Sequence, residues 1–211
     1  MGIAERKERE KSRKREVILK SAEEIFFKNG FEKTTMDEIA EKAEYSKGTL
    51  YLYFKNKDAL YAAIMLRSVD IFTKILDEEI SKVNGGRAKL NAIKTGYLKF
   101  YRAHPDHLKV FLFAGTYMMQ MQKEDIDAIM TEIIEKNETF KRVIFSAIET
   151  AAKDGTLEEM GIPTDVETVF QAGGFVLNGI FKNMIDHEKV FQLQNISPDV
   201  LVNLAFGMLR F

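Results

Sequence analysis

The sequence predicts an all-α protein, and three observations support that prediction. Apolar residues recur at three- and four-residue spacing along almost all of the 211 residues, which is the period of a helix with one buried face. Only three prolines interrupt the pattern. No pair of alternating segments rich in Val, Ile and Thr is joined by an Asn-Gly or Asp-Gly turn, so a β-hairpin is not indicated.

The composition excludes several classes of protein. With 45% hydrophobic residues, the chain can bury the core of one or two compact domains. Its longest nearly unbroken apolar stretch, Val110 to Met119, is too short for a membrane-spanning helix, and its charged N-terminus shows no secretory signal. Zero cysteines exclude disulfides, zinc–thiolate sites and thiol nucleophiles. These features predict a cytoplasmic protein with no membrane partner.

Three helices are predicted in about the first 54 residues. The first covers about Ser12–Asn29 and ends at a glycine. Thr35 begins the second, because its hydroxyl and the Glu38 carboxylate can form a capping box. Ser46 is the predicted N-cap of a short third helix that ends near Phe54.

A long fourth helix follows, with Asn56 as its predicted N-cap and its end near Val83. Its roughly 28 residues would span about 40 Å. The further predicted helices, separated by breaks that contain Pro or Gly, are Arg87–Ala103, Asp106–Tyr117, Lys123–Lys153, Asp165–His187 and Pro198–Leu209. We therefore expect one domain over residues 1–55, with a basic arm at residues 1–15, and a helical domain over residues 56–211.

The second and third helices have the pattern of a helix-turn-helix, in which two short helices joined by a three-residue turn cross at a steep angle. Such a crossing needs small residues, which Ala40 and Ala43 supply. The stretches Thr34–Ala43, Ser46–Phe54 and Asn56–Leu60 closely resemble the signature of the TetR family of transcriptional regulators. This resemblance implies an N-terminal DNA-binding helix-turn-helix domain, joined by the long helix to a C-terminal bundle that binds a ligand and dimerises.

The third helix carries side chains that suit DNA. Lys47 can reach a guanine edge or a phosphate, and Gly48 removes a side chain where the backbone comes close to the duplex. The resemblance implies that Tyr51 holds a phosphate, that Lys57 contacts the DNA backbone and that Thr35 anchors the second helix. The predicted DNA-binding residues are Thr35, Tyr45, Ser46, Lys47, Gly48, Thr49, Tyr51, Leu52, Tyr53 and Lys57.

One residue departs from the family pattern, and the charge distribution limits how the domain binds DNA. Where the family usually carries Gly after the second helix, this chain has Glu44, so we expect a strained left-handed residue there. The arm Met1–Arg15, with seven basic and three acidic residues, either follows a DNA groove or forms a solvated extension with i,i+4 charge pairs. The net charge of −1 divides into +2 through Leu60 and −3 beyond it, so binding is expected to rest on positioned contacts.

The remainder of the chain shows no catalytic signature. Its three histidines form no metal-binding pattern, and no glycine motif for phosphate binding occurs. We predict that the protein is not an enzyme and has neither a cofactor nor a metal. A helical enzyme is the weaker alternative because no catalytic motif occurs; it stays open because a site assembled from distant helices leaves no local motif.

The segment of residues 111–121 is rich in Phe and Met, which form adaptable walls. It is expected to enclose a cavity for a small apolar or aromatic effector, although ordinary core packing also explains each residue. The predicted lining residues are Tyr97, Phe111, Tyr117, Met118, Met121, Phe140, Ile144 and Phe170.

The helix Asp165–His187 carries apolar residues on more than one face, so one face packs inward and another needs a partner. The resemblance implies a homodimer that places two recognition helices on a pseudo-palindromic operator in double-stranded DNA. The predicted dimer contacts are Gly173, Gly174, Leu177, Phe181, Leu204 and Met208. The predicted function is a repressor released by the effector; the alternative is a DNA-binding protein of the same fold that a protein partner regulates.

Overall fold

The computed structural model describes residues 2–208, without the side chains of Ile3, Gln192 and residues 205–208. Within this part of the chain every regular element is a helix, as the sequence predicts. The helices are α1 (Ile3–Asn29), α2 (Met36–Lys42), α3 (Lys47–Tyr53), α4 (Lys57–Ser81), α5 (Gly86–Ala103), α6 (Pro105–Met118), α7 (Lys123–Lys153), α8 (Thr156–Glu159), α9 (Val166–Asp186), α10 (Glu188–Leu193) and α11 (Pro198–Met208). None of the described helices is long and apolar enough to cross a membrane.

The three predicted N-caps are confirmed. The Thr35 hydroxyl accepts the Glu38 amide proton at 3.3 Å, and the Glu38 carboxylate accepts the Thr35 amide proton at 2.7 Å, which completes the capping box. The side chain of Ser46 caps α3 at 3.2 Å, and the Asn56 side chain caps α4 at 2.8 Å. Each cap satisfies an amide group that has no partner inside its own helix.

Most helix boundaries lie within about two residues of the prediction, and the larger differences concern α1, α8 and α10. Helix α1 begins at Ile3 rather than near Ser12, so the arm is helical, and the Lys14–Glu10 ion pair at 3.0 Å is one of the i,i+4 contacts that stabilise it. The short helices α8 and α10 were not expected, because four- and six-residue segments are too short to show a helical period.

Glu44 adopts the left-handed conformation expected from its place in the turn, with φ of 58°. Replacing Glu44 with Gly should raise the free energy of unfolding by about 1 kcal/mol, because Gly has no Cβ to strain this conformation. Urea denaturation would measure the change. Asn195, with φ of 53°, is the control, because Asn tolerates this region and Asn195→Gly should gain less. A loss of stability in Glu44→Gly would contradict the prediction.

Two apolar clusters share helices α4 and α6. The head cluster consists of Ile18, Leu19, Ala22, Phe26, Ile39, Ala40, Ala43, Leu50, Phe54, Leu60, Ala63, Ile64, Met65 and Val110. The body cluster is built from α4 to α9 and α11, and its fully buried members include Phe72, Phe100, Leu108, Leu157 and Phe181. The head cluster thus continues beyond residue 55 into α4 and onto α6, and a domain boundary at that residue stays a prediction.

Helix α5 begins directly against the end of α7. The Gly86 amide donates to the Asp154 carboxylate at 2.6 Å, and the Thr156 hydroxyl donates to the same carboxylate at 2.6 Å. A Cβ atom on residue 86 would lie 2.3 Å from the Ala151 Cα, which is far inside van der Waals contact. Only glycine fits at this crossing.

Candidate nucleic-acid interface and effector cavity

The α2–α3 pair buries one face and leaves the other in solvent. Ile39 and Ala40 of α2, with Ala43 at the end of that helix, are buried together with Leu50 of α3 and Phe54 in the head cluster. Of the predicted DNA-binding residues, those with exposed side chains or backbone are Thr35, Ser46, Lys47, Gly48, Tyr51 and Leu52. Tyr45, Thr49 and Tyr53 are half-buried. The exposed face is therefore short and mostly polar, apart from Leu52, and it is supported by a buried apolar core.

Several of these groups have partners in the free protein. Lys47 forms an ion pair with Asp37 at 2.6 Å, and the hydrogen bond to Asp37 raises the pKa of Lys47. The hydroxyls of Ser46 and Thr49 lie 2.9 Å apart. The backbone amide of Thr35 lowers the pKa of the Glu38 carboxyl. Contacts with DNA would replace the Lys47–Asp37 pair.

Lys57 lies in an arrangement that the resemblance did not indicate. Its ammonium group donates to the backbone carbonyls of Phe31, Thr34 and Glu32 at 2.8, 3.1 and 3.4 Å, and lies 4.2 Å from the centre of the Phe31 ring. These contacts connect the start of α4 to the turn between α1 and α2. In the free protein Lys57 therefore stabilises the predicted helix-turn-helix domain of residues 1–55, called the reading domain below. A direct contact with DNA would require Lys57 to leave these carbonyls.

Replacing Lys57 with Met should lower the free energy of unfolding by about 1–2 kcal/mol, because three carbonyl oxygens lose a charged donor that is half-buried. If the Lys57 ammonium group acts only by stabilising the turn between α1 and α2, the Lys57→Met substitution will not change the salt dependence of DNA binding. A phosphate contact would instead lower the slope of log K against log salt by about 1 for each lysine lost. Lys33→Met, an exposed residue in the same turn, is the control for lost charge.

A cavity of about 700 Å³ lies between α5, α6, α7 and α9. This volume is within the range of pockets for small molecules. Its walls are mostly apolar, and five of the predicted residues line it: Tyr97, Phe111, Phe140, Ile144 and Phe170. The Tyr97 hydroxyl donates to the Asn178 side-chain oxygen at 3.1 Å, and burial raises the pKa of Tyr97. Within residues 2–208 no group of three His, Asp or Glu side chains is placed to hold a metal ion.

Comparison with known proteins identifies the family. Residues 18–64 match the model of the family described as bacterial regulatory proteins, tetR family. The chain is 28% identical to the uncharacterized HTH-type transcriptional regulator YhgD of Bacillus subtilis, over 73% of this chain and 75% of that protein. The chain belongs to the TetR family. It is also 28% identical to the transcriptional regulator QacR of Staphylococcus aureus, over 77% of this chain and 81% of that one.

Solved structures of TetR regulators show the same fold. FadR of Bacillus subtilis in complex with stearoyl-CoA superposes with a TM-score of 0.63, at 18% identity, over 92% of this chain and 95% of that one. A tetR family regulatory protein from Rhodococcus RHA1 superposes with a TM-score of 0.64, at 21% identity, over 93% and 96% of the two chains. The all-helical architecture of a TetR regulator therefore extends over nearly the whole chain.

Three residues predicted to line the effector cavity of this TetR regulator lie elsewhere. Tyr117 and Met118 pack against the head cluster, and Met121 is buried in the connection after α6. The prediction is wrong for these residues because α6 has two apolar faces, and Phe111 and Leu112 are on the one that faces the body. Residues of α5, such as Leu90 and Ile93, line the cavity but were not predicted, since the helical pattern alone does not tell which core face borders a void.

Two predicted dimer contacts are buried inside the protomer. Leu177 is 9% exposed and Phe181 is fully buried, with the Phe181 ring stacked on Tyr97 at 5.1 Å. The prediction is wrong for these two side chains, because they lie on the face of α9 that completes the body core. Gly173 and Gly174 line the cavity.

The outer surface of α9 and α11 nevertheless carries exposed apolar side chains. Leu204, which was predicted, is 56% exposed, and Phe175, which was not, is 81% exposed. The side chain of Met208 lies outside the described part of the structure. The placement of a dimer surface on these two helices stays a prediction.

The end of α6 and the start of α7 contact the start of α4. The Tyr117 hydroxyl donates to the Asp58 carboxylate at 2.6 Å. Asp125, which is almost fully buried, accepts from Lys55 at 2.6 Å and from the Asn56 amide at 3.1 Å, and the contact with Lys55 lowers the pKa of its carboxyl. The helices that border the cavity thereby contact the first turn of the helix that begins immediately after the reading domain.

His107, near the start of α6, contacts α4 farther along that helix: its Nδ1 lies 2.9 Å from the Ser68 hydroxyl, and its ring lies against Phe27 of α1. Burial, with smaller contributions from His104 and Arg67, lowers the pKa of His107 from 6.5 to about 4. Between these values the unfolded chain binds more protons than the folded protein, so the stability falls as the pH decreases.

Lowering the pH from about 6.5 to about 4 should therefore remove about 1–2 kcal/mol of His107-dependent stability, a range that allows for its partial exposure. Urea denaturation across this pH range, on the wild type and on His107→Gln, measures the difference. Parallel pH profiles for the two proteins would contradict the prediction.

Proposed function

We propose that this TetR-family protein is a homodimeric repressor that binds a palindromic operator in the cytoplasm and is released from it by a small apolar or aromatic effector. The observation that supports this function best is the position of the cavity. Part of its wall belongs to α6 and α7, and the same two helices contact the start of α4 through Tyr117 and Asp125.

The reading surface is the exposed face of α3. Lys47 and Tyr51 extend from it, and Gly48 leaves the backbone open to a close approach. A short helix with a polar outer face and a fixed inner face suits the major groove. The mild positive charge of the reading domain means that affinity rests on these contacts rather than on bulk attraction.

The dimer surface is the outer side of α9 and α11. Phe175, Val176 and Leu204 are exposed there although they are large and apolar, and burial of such a surface against a second copy is favourable. Gly179 lies on the same helix, and no atom of the described residues comes within 4 Å of a Cβ built on it, so that part of the protomer does not require glycine there. A two-fold axis through this surface would make the bound DNA site palindromic.

The effector would act by differential affinity for two arrangements of the reading domains. A molecule that fills the cavity displaces α6 or α7, and the contacts at Asp58 and Asn56 transmit this displacement to α4. A coupling of about 1–3 kcal/mol would weaken DNA binding roughly 5- to 150-fold. The FadR relative named above was crystallised with stearoyl-CoA, which supports the view that this fold can bind an effector with a long apolar part.

Selection of bound duplexes from a random pool is the first test. We expect two inverted half-sites with centres one helical turn apart, roughly 34 Å. Recovery of a single site without an inverted repeat would contradict the proposal that the protein binds DNA as a homodimer. Sedimentation of the protein alone, with Phe175→Asp as the variant and Val190→Asp as an exposed apolar control on α10, then tests the dimer surface. Loss of the dimer in Phe175→Asp only is the expected result, and an unchanged dimer would contradict the proposed surface.

A further inference from the structure

The described wall of the cavity carries side-chain charge of one sign, which is positive. Among the described residues that line it, none is an Asp or Glu, and Lys182 is the one charged side chain. A cationic ligand would enter this cavity without a counter-charge, and its desolvation would be uncompensated. An anionic ligand would meet a cation.

Lys182 has no ion-pair partner in the described part of the chain. Its ammonium group lies 4.6 Å from the centre of the Phe113 ring of α6 and is exposed at the cavity rim. By contrast, Lys141 of α7 is paired with Glu167 at 2.7 Å. The positive charge of Lys182 is thus available to a bound molecule.

Asn178 supplies a second donor beside Lys182. The two residues are four positions apart on α9, so their side chains lie on the same face of the helix. The Asn178 side-chain oxygen accepts the proton of Tyr97, which is 2% exposed and stacked on Phe181, and this fixes the orientation of the amide. No acceptor for the Asn178 amide nitrogen occurs among the described residues. Its two N–H groups therefore remain free to donate.

We infer that the ligand of this cavity is an apolar molecule with one anionic head group, held by the amide of Asn178 and the ammonium of Lys182. A carboxylate matches this pair, because it accepts from two adjacent donors and because charge-assisted hydrogen bonds are the stronger ones. Its hydrocarbon part would lie against Phe111, Phe140 and Ile144. The biological role of this ligand as an effector rests on the proposed function, but its binding does not.

Three probes with the same chain length and different head groups test the inference by calorimetry at neutral pH: decanoate and decyltrimethylammonium below their micelle concentrations, and decanol below its solubility limit. We expect decanoate to bind at least roughly tenfold more tightly than the cation. Equal affinity for decanoate and the cation, or no binding of any probe, would overturn the inference. Decanoyl-CoA, compared with decanoate, distinguishes a free acid from a thioester whose phosphates supply the negative charge.

Two variants locate the head group. Lys182→Met should weaken decanoate binding roughly tenfold and leave decanol binding unchanged, whereas the matched control Lys189→Met, on α10 and outside the cavity wall, should change neither. Asn178→Asp keeps an acceptor for Tyr97 and replaces the donors with a negative charge, so it should reverse the preference in favour of the cation. Unchanged decanoate affinity in both variants would contradict the assigned head-group site.

Measuring the affinity for the selected operator in the presence of each probe separates the proposed function from the proposed head-group site. If decanoate binds the wild type with the expected dependence on Lys182 but leaves operator affinity unchanged, the ligand site stands and the effector-controlled repressor fails. If operator affinity responds to decyltrimethylammonium as strongly as to decanoate, effector control stands and the anion site fails.

Discussion

Replacing Lys47 with Glu is expected to lower the affinity of the dimer for its selected operator by roughly a hundredfold or more. Each half-site loses a contact that is worth about 1–3 kcal/mol, and both half-sites lose it together. The new carboxylate would also stand beside Asp37, which is the partner of Lys47 in the free protein. Fluorescence anisotropy with the selected duplex at fixed salt measures the change.

Lys153→Glu is the matched control for this charge reversal. Lys153 is highly exposed at the end of α7, so its reversal changes the net charge by the same amount away from the reading domain. We expect at most a small effect from it, because charges beyond a Debye length are screened. If Lys47→Glu weakened binding to random and selected duplexes equally, Lys47 would contribute bulk charge and not recognition.

Replacing Gly86 with Ala is expected to lower the free energy of unfolding by about 3 kcal/mol. The added Cβ would lie 2.3 Å from the backbone Cα of Ala151 and 2.7 Å from the Asp154 carboxylate, so α5 and α7 must separate to admit it. This is a large part of the stability of a typical domain. Urea denaturation followed by circular dichroism provides the measurement.

Gly115→Ala is the corresponding control, because Gly115 is also helical but a Cβ on it would meet nothing within 4 Å. There the exchange should raise stability by about 0.5–1 kcal/mol through helix propensity alone. Equal effects at the two glycines would show that the crossing of α5 and α7 relaxes without cost.

The local signals in the sequence were sufficient for most helices. Capping at Thr35, Ser46 and Asn56 depends on neighbours within three residues, and all three caps are present. Helix α7 runs over Lys123–Lys153 as predicted, because the sequence shows a helix break before it and another after it. Such features could be predicted because the interacting atoms are close in sequence.

The sites depend on contacts that are distant in sequence, and there prediction was less complete. The Phe- and Met-rich run predicts Tyr117 in the cavity, but the centre of its ring lies 4.1 Å from that of Tyr61, and it faces the reading domain. Lys57 was assigned to DNA, and its partners in the free protein are carbonyls more than twenty positions away. Neither the face that a helix turns to a neighbour nor the partner of a long side chain is encoded locally.

The sharing of α4 and α6 by the two apolar clusters determines how the molecule unfolds. Leu60 and Ile64 of α4 and Val110 of α6 complete the head cluster beneath α2 and α3. Phe72 of α4 and Leu108 of α6 belong to the body cluster. A fragment ending at residue 55 would lose the first group and leave Leu50 and Phe54 uncovered. Heating should therefore melt both parts in one cooperative transition, with equal calorimetric and van't Hoff enthalpies for the protomer once dissociation is accounted for.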